Sequence, residues 1–399
     1  MKRRQTIAWF IAMCLCALWY INVNIRQQIP GLDKPSDFFH YHRAAQQVLA
    51  GHTPYDGPDF NYPPLIAFLL APLGFVTYVK ARWIWFAVSH ACLLTSAWIM
   101  WRTLGRNRSA GLCVAFVWAA GGAAGENLSL GQAGPLLVLA LAVAYTPRSL
   151  AAGISAGIGA ALKFIPGVVS IAFALRRDWR AVGGIMVMAV SLVLIPWAVV
   201  RYRLEGSSVP SRVDYWTGTP ALLNWSLPAV VLRALDPPQG GTSLPYNWEY
   251  GNYLPNLHLT PSQQMASVGT TVVIFGAGIL ALLLVCRGQL DREQLPWALA
   301  GLISLSLAAS PVCWSHYQVM QYPGLAFLLH RSTKWRSVAC VLVCGALLYE
   351  VPVAILTAYY KQHGGWTAIS PATLYVWTSV TPLACLSLFG IALRQIRHG

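Results

Sequence analysis

Asp37 opens a stretch, Asp37-Phe38-Phe39-His40-Tyr41-His42, that concentrates acid–base side chains in a chain with few of them. The 399 residues include 13 Asp and Glu, and 56% of the chain is hydrophobic. Asp33, Asp56 and Asp59 share the same loop. A carboxylate placed there can serve as a general base, taking the proton of a hydroxyl nucleophile. Asp33 is the second candidate for that role; Asp56 and Asp59, beside Gly57 and Pro58, read as turn residues. Asp37 also has a local reading. After Ser36 it fits the first turn of a helix over about 38–50, where a carboxylate offsets the helix dipole, with Gly51 closing the helix. His40, three residues on, can share a face with Asp37, whereas His42 points elsewhere.

The second kind of chemistry is cationic. Lys163 lies within Ala160-Ala161-Leu162-Lys163-Phe164-Ile165-Pro166. A lysine in such surroundings either snorkels to the interface or meets an anion. A lipid phosphate is the natural anion of that setting, and the N–H groups at the helix start near Pro166 would add to the site. Lys80 and Arg82 read either as further phosphate ligands or as headgroup contacts. Gln132 and Asn224 suit hydrogen bonding to a substrate and equally suit capping or backbone satisfaction. Tyr41, Tyr62 and Trp314 complete the candidate substrate contacts.

These residues need elements to carry them, and the elements are membrane helices. Mean hydropathy is +0.52, and apolar runs near the length of a bilayer crossing recur. The expected fold is an all-α polytopic membrane protein, read as one integral membrane domain over 1–399. About twelve crossings are expected, at 6–25, 82–101, 110–126, 133–146, 149–162, 165–175, 181–202, 268–286, 295–310, 316–330, 337–358 and 372–392. Several are short or broken, as spans lining a protein cavity tolerate. The first run follows Met1-Lys2-Arg3-Arg4 without a small-residue cleavage site and reads as a retained anchor. The run from Leu65 to Val79 is expected to lie in the interface or to re-enter. That choice sends 17 of the 28 Lys and Arg to the cytoplasm, with both termini. The unusual polar segments then share the outer side: a helical loop over 26–81, Glu126 to Gln132, Lys163, a long loop over 204–267, and Ser310 to His316.

The same topology explains the formal charge of +15 without a nucleic-acid partner. The cysteines lie mostly within apolar runs and show no ligand or disulfide spacing. No Walker loop, dinucleotide fingerprint or His-Glu-x-x-His motif is present. The four loop acids match no metal-site spacing; no cofactor or metal ligand is assigned, and a divalent cation is left as an open alternative.

The order Asp37-Phe38-x-x-Tyr41, Gly51-x-x-Pro54-Tyr55, Tyr62-Pro63-Pro64-Leu65, Ala71-Pro72-Leu73, Gly131-Gln132, Lys163-x-x-Pro166, Asn224-x-Ser226 and Ser310-Pro311-x-x-Trp314-x-His316 resembles the bacterial polyprenyl-phosphate-mannose-dependent alpha-mannosyltransferases, which are C-type membrane glycosyltransferases. The resemblance implies a multi-pass protein of the bacterial cytoplasmic membrane with its active site on the outer face. It implies a polyprenyl-phosphate-linked sugar donor, mannose in this family, and a lipid or glycan acceptor among membrane lipids. Carried over, it makes Asp37 the base, matches His316 to the motif histidine, and places Lys163 toward the donor phosphate; His316, after Pro311 and Trp314, reads as a catalytic candidate that orients the base or contacts the donor phosphate, and equally as a satisfied interfacial histidine. Cys313-Trp314-Ser315 departs from the family pattern at positions where an acidic or polar residue and a small one are expected. One base activating a direct attack on a phosphate-linked sugar predicts inversion, and a phosphate leaves without a strong general acid. Trp216, Trp225, Tyr246, Trp248, Tyr250 and Tyr253 in the long loop suit sugar stacking and equally suit an interfacial aromatic belt. The reading from a different class is a transporter or flippase of a lipid-linked substrate, which shares broken spans and a buried lysine. Against it stand the lack of an evident inverted repeat and the gathering of polar residues at one interface.

Overall fold

A computed structural model describes residues 2–56, 60, 62–206, 219, 221, 224–235, 259–363 and 370–398. Among them the structure is helical, with no strand and two isolated bridges. The chain folds as two compact units, Met1–Ser211 with Val319–Thr333, and Arg212–Gln318 with Lys334–Gly399. Among the described residues five helical spans are long and apolar enough to cross a membrane: Gln5–Gly31, Tyr78–Thr103, Trp179–Arg203, Pro261–Val285 and Tyr375–His398. A sixth forms if Trp335–Leu348 and Glu350–Tyr359, bent by 42°, count as one. The other expected crossings are shorter helices or pairs of them.

Glycine and proline account for the breaks. In the first unit α1 (Lys2–Tyr20) runs on as a π-helix to Arg26. The outer-loop sequence folds as α2 (Asp37–Leu49), α3 (Leu65–Leu69) and α4 (Ala71–Gly74), before α5 (Tyr78–Thr103). The expected span 110–126 divides at Gly121 into α6 (Arg108–Ala120) and α7 (Gly122–Leu130). Tyr322 enters this break: its hydroxyl donates to the Gly121 carbonyl and accepts from Ala124 N–H at 3.0 Å. Next come α8 (Gly134–Ala144), α9 (Ser149–Leu162), a 3-10 turn Ile165–Val168, α10 (Val169–Leu175) and α11 (Trp179–Arg203).

Helices α9 and α11 run parallel, because Gly153 faces Ala181 and Gly157 faces Ile185. A Cβ on Gly157 would lie 2.7 Å from the Ile185 carbonyl oxygen. Small residues four apart let two backbones touch, which is how membrane helices associate without a hydrophobic drive between them.

In the second unit, α12 (Leu227–Leu235) is the described helix of the 204–267 segment, and Pro261–Val285 follows with a Thr260–Gln263 capping box. Asp59, Trp216, Tyr246, Trp248, Tyr250 and Tyr253 lie outside the described residues.

Candidate active site

Asp37 is the first residue of α2, yet its carboxylate does not serve as a local cap. Its Oδ2 accepts a hydrogen bond from Gln132 Nε2 at 2.6 Å, across 95 residues of sequence. The Gln132 carbonyl oxygen in turn accepts from the Tyr41 hydroxyl at 2.8 Å and the Tyr62 hydroxyl at 3.2 Å. The ionised carboxylate can only accept, which fixes the amide: nitrogen toward Asp37, oxygen toward the two tyrosine hydroxyls, which donate to it. Polarisation along such a chain strengthens the final N–H···O bond. The Tyr41 and Tyr62 rings pack edge to face at 4.8 Å. Lys163 Nζ stands 5.7 Å from the Tyr62 ring centroid, within cation–π range. Four sequence candidates from three chain segments, with Lys163 from a fourth, therefore meet around one glutamine.

Local structure explains each position. Gly131 ends α7 in the left-handed region, at φ 71°, where glycine is favoured. A Cβ there would lie 2.5 Å from Phe38 Cβ and 3.0 Å from Arg82 Nη1. The turn aims Gln132 back at α2. Arg82 is fully buried; its Nη2 donates to the carbonyls of Leu128 at 2.5 Å and Ser129 at 2.7 Å, capping the C-terminal end of α7 with positive charge. Trp85 Nε1 holds the Gly131 carbonyl at 2.8 Å. Lys163 follows α9 in extended conformation, at φ −153° and ψ 129°, at the break read from the sequence. Tyr55 is buried and donates to the Tyr62 carbonyl at 3.0 Å; burial pushes its phenol well above the usual range, so it stays a donor. The Gly51 to Thr53 backbone bonds to Glu205, just past α11 (Thr53 N–H to Glu205 O 2.9 Å, Glu205 N–H to Gly51 O 3.0 Å).

His42 is buried, with Nε2 at 3.0 Å from the Val76 carbonyl and 3.2 Å from that of Leu73. Two carbonyl partners require the proton on Nε2, so His42 fastens α2 to the segment after α3. Lys80 and Asp33 are exposed. Among the described residues no group of three His, Cys, Asp or Glu side chains is placed to hold a metal.

The second unit holds Asn224, Trp314 and His316. The Asn224 amide nitrogen donates to the carbonyls of Thr219 and Pro311, both at 2.9 Å. Its oxygen accepts from Cys313 N–H at 2.8 Å and the Ser226 hydroxyl at 3.0 Å. With Trp225 N–H on the Cys313 carbonyl at 2.8 Å, Asn224 clamps the Ser310 to His316 segment. Its polar capacity is taken up within the protein, in line with the backbone-satisfying alternative. Cys313 is buried, and its sulfur accepts from Gln318 Nε2 at 3.4 Å; this departure from the family pattern faces the protein core. His316 is buried, with its ring 4.9 Å from that of Tyr317. Arg233, not singled out in the sequence, is fully buried and donates from Nη1 to the carbonyls of Ala221 at 3.0 Å and Asn224 at 3.1 Å. Burial pulls its guanidinium down to about 9, still above neutral pH.

The sequence profile of glycosyltransferase family 87 matches residues 60–311. The chain belongs to glycosyltransferase family 87. Within this family 87 chain the match takes in Tyr62, Arg82, Gln132, Lys163 and Asn224, while Asp37 precedes it and Trp314 and His316 follow. A polyprenol-phosphate-mannose-dependent alpha-(1-2)-phosphatidylinositol pentamannoside mannosyltransferase of Mycolicibacterium smegmatis is 27% identical over 319 residues, 75% of this chain and 66% of that relative, just under two thirds of its length. Its Mycobacterium tuberculosis namesake is 25% identical over 380 residues, 92% of this chain and 80% of the relative. A second M. tuberculosis relative, described as acting on phosphatidylinositol mannoside, is 25% identical over 362 residues, covering 84% and 78% respectively.

Proposed function

We infer that this family 87 chain transfers a mannosyl group from a polyprenyl-phosphate carrier to a hydroxyl of a lipid or glycan acceptor, with inversion, at the outer face of a bacterial cytoplasmic membrane. The observation that carries the mechanism is the 2.6 Å bond from Gln132 to Asp37. It holds one carboxylate oxygen and leaves the other for the acceptor. In the transfer, the acceptor O–H gives its proton to Asp37 as its oxygen forms the new bond to the anomeric carbon. The bond from that carbon to the phosphate oxygen breaks, and the electron pair leaves on the phosphate. Lys163 is the cation for that phosphate, with Tyr62 between it and the base. Gln132, Tyr41 and Tyr62 position the base. Arg82 supports the Gly131–Gln132 turn, a role its burial against helix carbonyls favours over phosphate contact. His316 is the second catalytic candidate; His316→Ala should lower transfer in a protein that still folds, and full transfer by that variant refutes the role. The donor and acceptor classes follow the relatives' names.

The outer-face placement is supported by charge. Gln132, Lys163 and Glu205 stand at the Asp37 end of the first unit. The opposite ends of α5, α8, α10 and α11 adjoin Arg102, Arg106, Arg108, Arg148, Arg176, Arg177 and Arg180, and such clusters stay in the cytoplasm.

The test is mannosyl transfer by purified wild type and Asp37→Asn from polyprenyl-phosphate-mannose to a membrane lipid extract. Loss of a general base should slow transfer by about 10²–10⁴-fold, with donor binding retained. Full transfer by Asp37→Asn refutes the assignment.

A further inference from the structure

We propose that the ends of α1, α5 and α6 remote from Asp37 form a binding site for an anionic phospholipid, whose phosphate sits among Arg102, Arg106 and Arg108. These ends also carry Lys2, Arg3 and Arg4, and no Asp or Glu occurs within 2–32 or 60–125. Cations gathered without a carboxylate repel one another, and an anion placed among them is attracted by several at once.

The three helix ends are tied together. Arg108 Nη1 donates to the Thr6 hydroxyl at 2.8 Å, and Trp9 Nε1 donates to the Arg108 carbonyl at 3.0 Å. The first turns of α1 and α6 therefore lie side by side. A Cβ on Gly111 would lie 3.7 Å from Trp101 Nε1 and 3.8 Å from Trp9, which sets the last turn of α5 against both. Arg102, Arg106 and Arg108 are all exposed. Arg106 stands at φ 56°, after Gly105 at φ 100°. That is the left-handed region, where glycine or asparagine is favoured. An arginine held there against its backbone preference points to a use for the side chain.

The surface of α5 makes the occupant a lipid. Its 26 residues rise about 39 Å against a hydrocarbon core of about 30 Å, so its last turn stands among headgroups. Leu94, Trp98 and Arg102 follow at four-residue spacing along one side of the helix. Leu94 is 57% and Trp98 51% exposed, and the Arg102 guanidinium lies 4.7 Å from the Trp98 ring centroid. From the hydrocarbon outward this stripe reads apolar, aromatic, cationic, matching the acyl chain, glycerol boundary and phosphate of a phospholipid. Basic recesses between membrane helices hold such headgroups. The site lies at the far end of α5 from Asp37 and does not rest on the proposed reaction.

The experiment titrates the full chain, delipidated in detergent, with phosphatidylglycerol or phosphatidylcholine. Native mass spectrometry counts bound lipid, and the thermal midpoint is read in parallel. Phosphatidylglycerol should bind the more tightly and raise the midpoint by about 4 °C at saturation. Arg102→Gln/Arg106→Gly removes two cations, each worth about fivefold, so phosphatidylglycerol should bind about 25-fold more weakly. Arg106→Gly alone suits the left-handed turn, so its lipid-free midpoint should hold or rise. Arg292→Gln/Arg394→Gln, an equal loss of charge from exposed positions of the second unit, should bind as wild type does. Equal binding of the two lipids overturns the proposal, as does unchanged affinity in the Arg102/Arg106 variant or an equal loss in the Arg292/Arg394 control. Displacement of the lipid by millimolar inorganic phosphate would mark a site for free anions and overturn the lipid assignment.

Discussion

Gln132→Glu gives the sharpest test of the candidate site. The substitution keeps size and shape while exchanging the amide nitrogen, 2.6 Å from Asp37 Oδ2, for a second carboxylate oxygen. Two like charges at that distance repel by up to about 6 kcal/mol at an effective dielectric of about 20. Asp37 is half-buried, and water screens part of this, so the shared-proton pairs of known carboxylate dyads set the scale at about 2–3 pKa units. The two phenols that donate to the Gln132 oxygen would favour charge on the introduced carboxylate. The shared proton then resides on Asp37, where it blocks the base. A raised pKa means that the active, deprotonated form is lost at a higher pH as pH falls. The acid limb of kcat/KM should therefore move up by about 2–3 units, with activity recovering as pH rises; the pair titrates jointly, and the limb reports the pair. A pH profile matching wild type, in a folded protein that binds donor, would show that Gln132 does not contact Asp37 during turnover.

Three further outcomes follow from the same geometry. Gly131→Ala, at φ 71° and with a Cβ 2.5 Å from Phe38, should destabilise by about 2–4 kcal/mol through backbone strain and overpacking, read as a fall in thermal midpoint in detergent. Lys163→Met should raise KM for the polyprenyl-phosphate donor by about 10–100-fold, the loss of a charge-assisted contact, with Lys163→Arg restoring part of it in a donor titration. Asn224→Ala removes an amide that joins Thr219, Ser226, Pro311 and Cys313. It should cost about 2–4 kcal/mol, visible as faster proteolysis and lost activity together; full stability would refute the clamp.

The candidate residues that the first unit brings together stand where helical periodicity breaks in the sequence: Gln132 after Gly131, Lys163 before Pro166, Asp37 after a polar turn. What the sequence concealed is direction. Arg82 looked like a surface cation, yet it belongs to the buried series Arg82, Trp85, Ser89, Leu93, Ser96 and Met100 along α5. That 3–4 spacing is written in the sequence and marks an inward face. Asn224 is the reverse case, because nothing in the spacing tells a substrate amide from one that ties two loops 87 residues apart. The expected crossings outnumber the five or six long apolar spans of the described residues in part because hydropathy does not register that Gly121 admits Tyr322 and splits one apolar run into two helices. The run after Leu65, read from the charge balance as interfacial or re-entrant, folds as two helices of 5 and 4 residues ahead of α5.

The contact between α9 and α11 has a kinetic consequence. Where Gly153 and Gly157 meet Ala181 and Ile185, backbone touches backbone with no rotamers between them to rearrange. The Lys163 junction at the end of α9 inherits that stiffness, and its cation has only its own side-chain torsions with which to search. On the proposed role of Lys163, a carrier phosphate then does most of the travelling, and its arrival should depend on lipid mobility in the leaflet more than on motion of the protein.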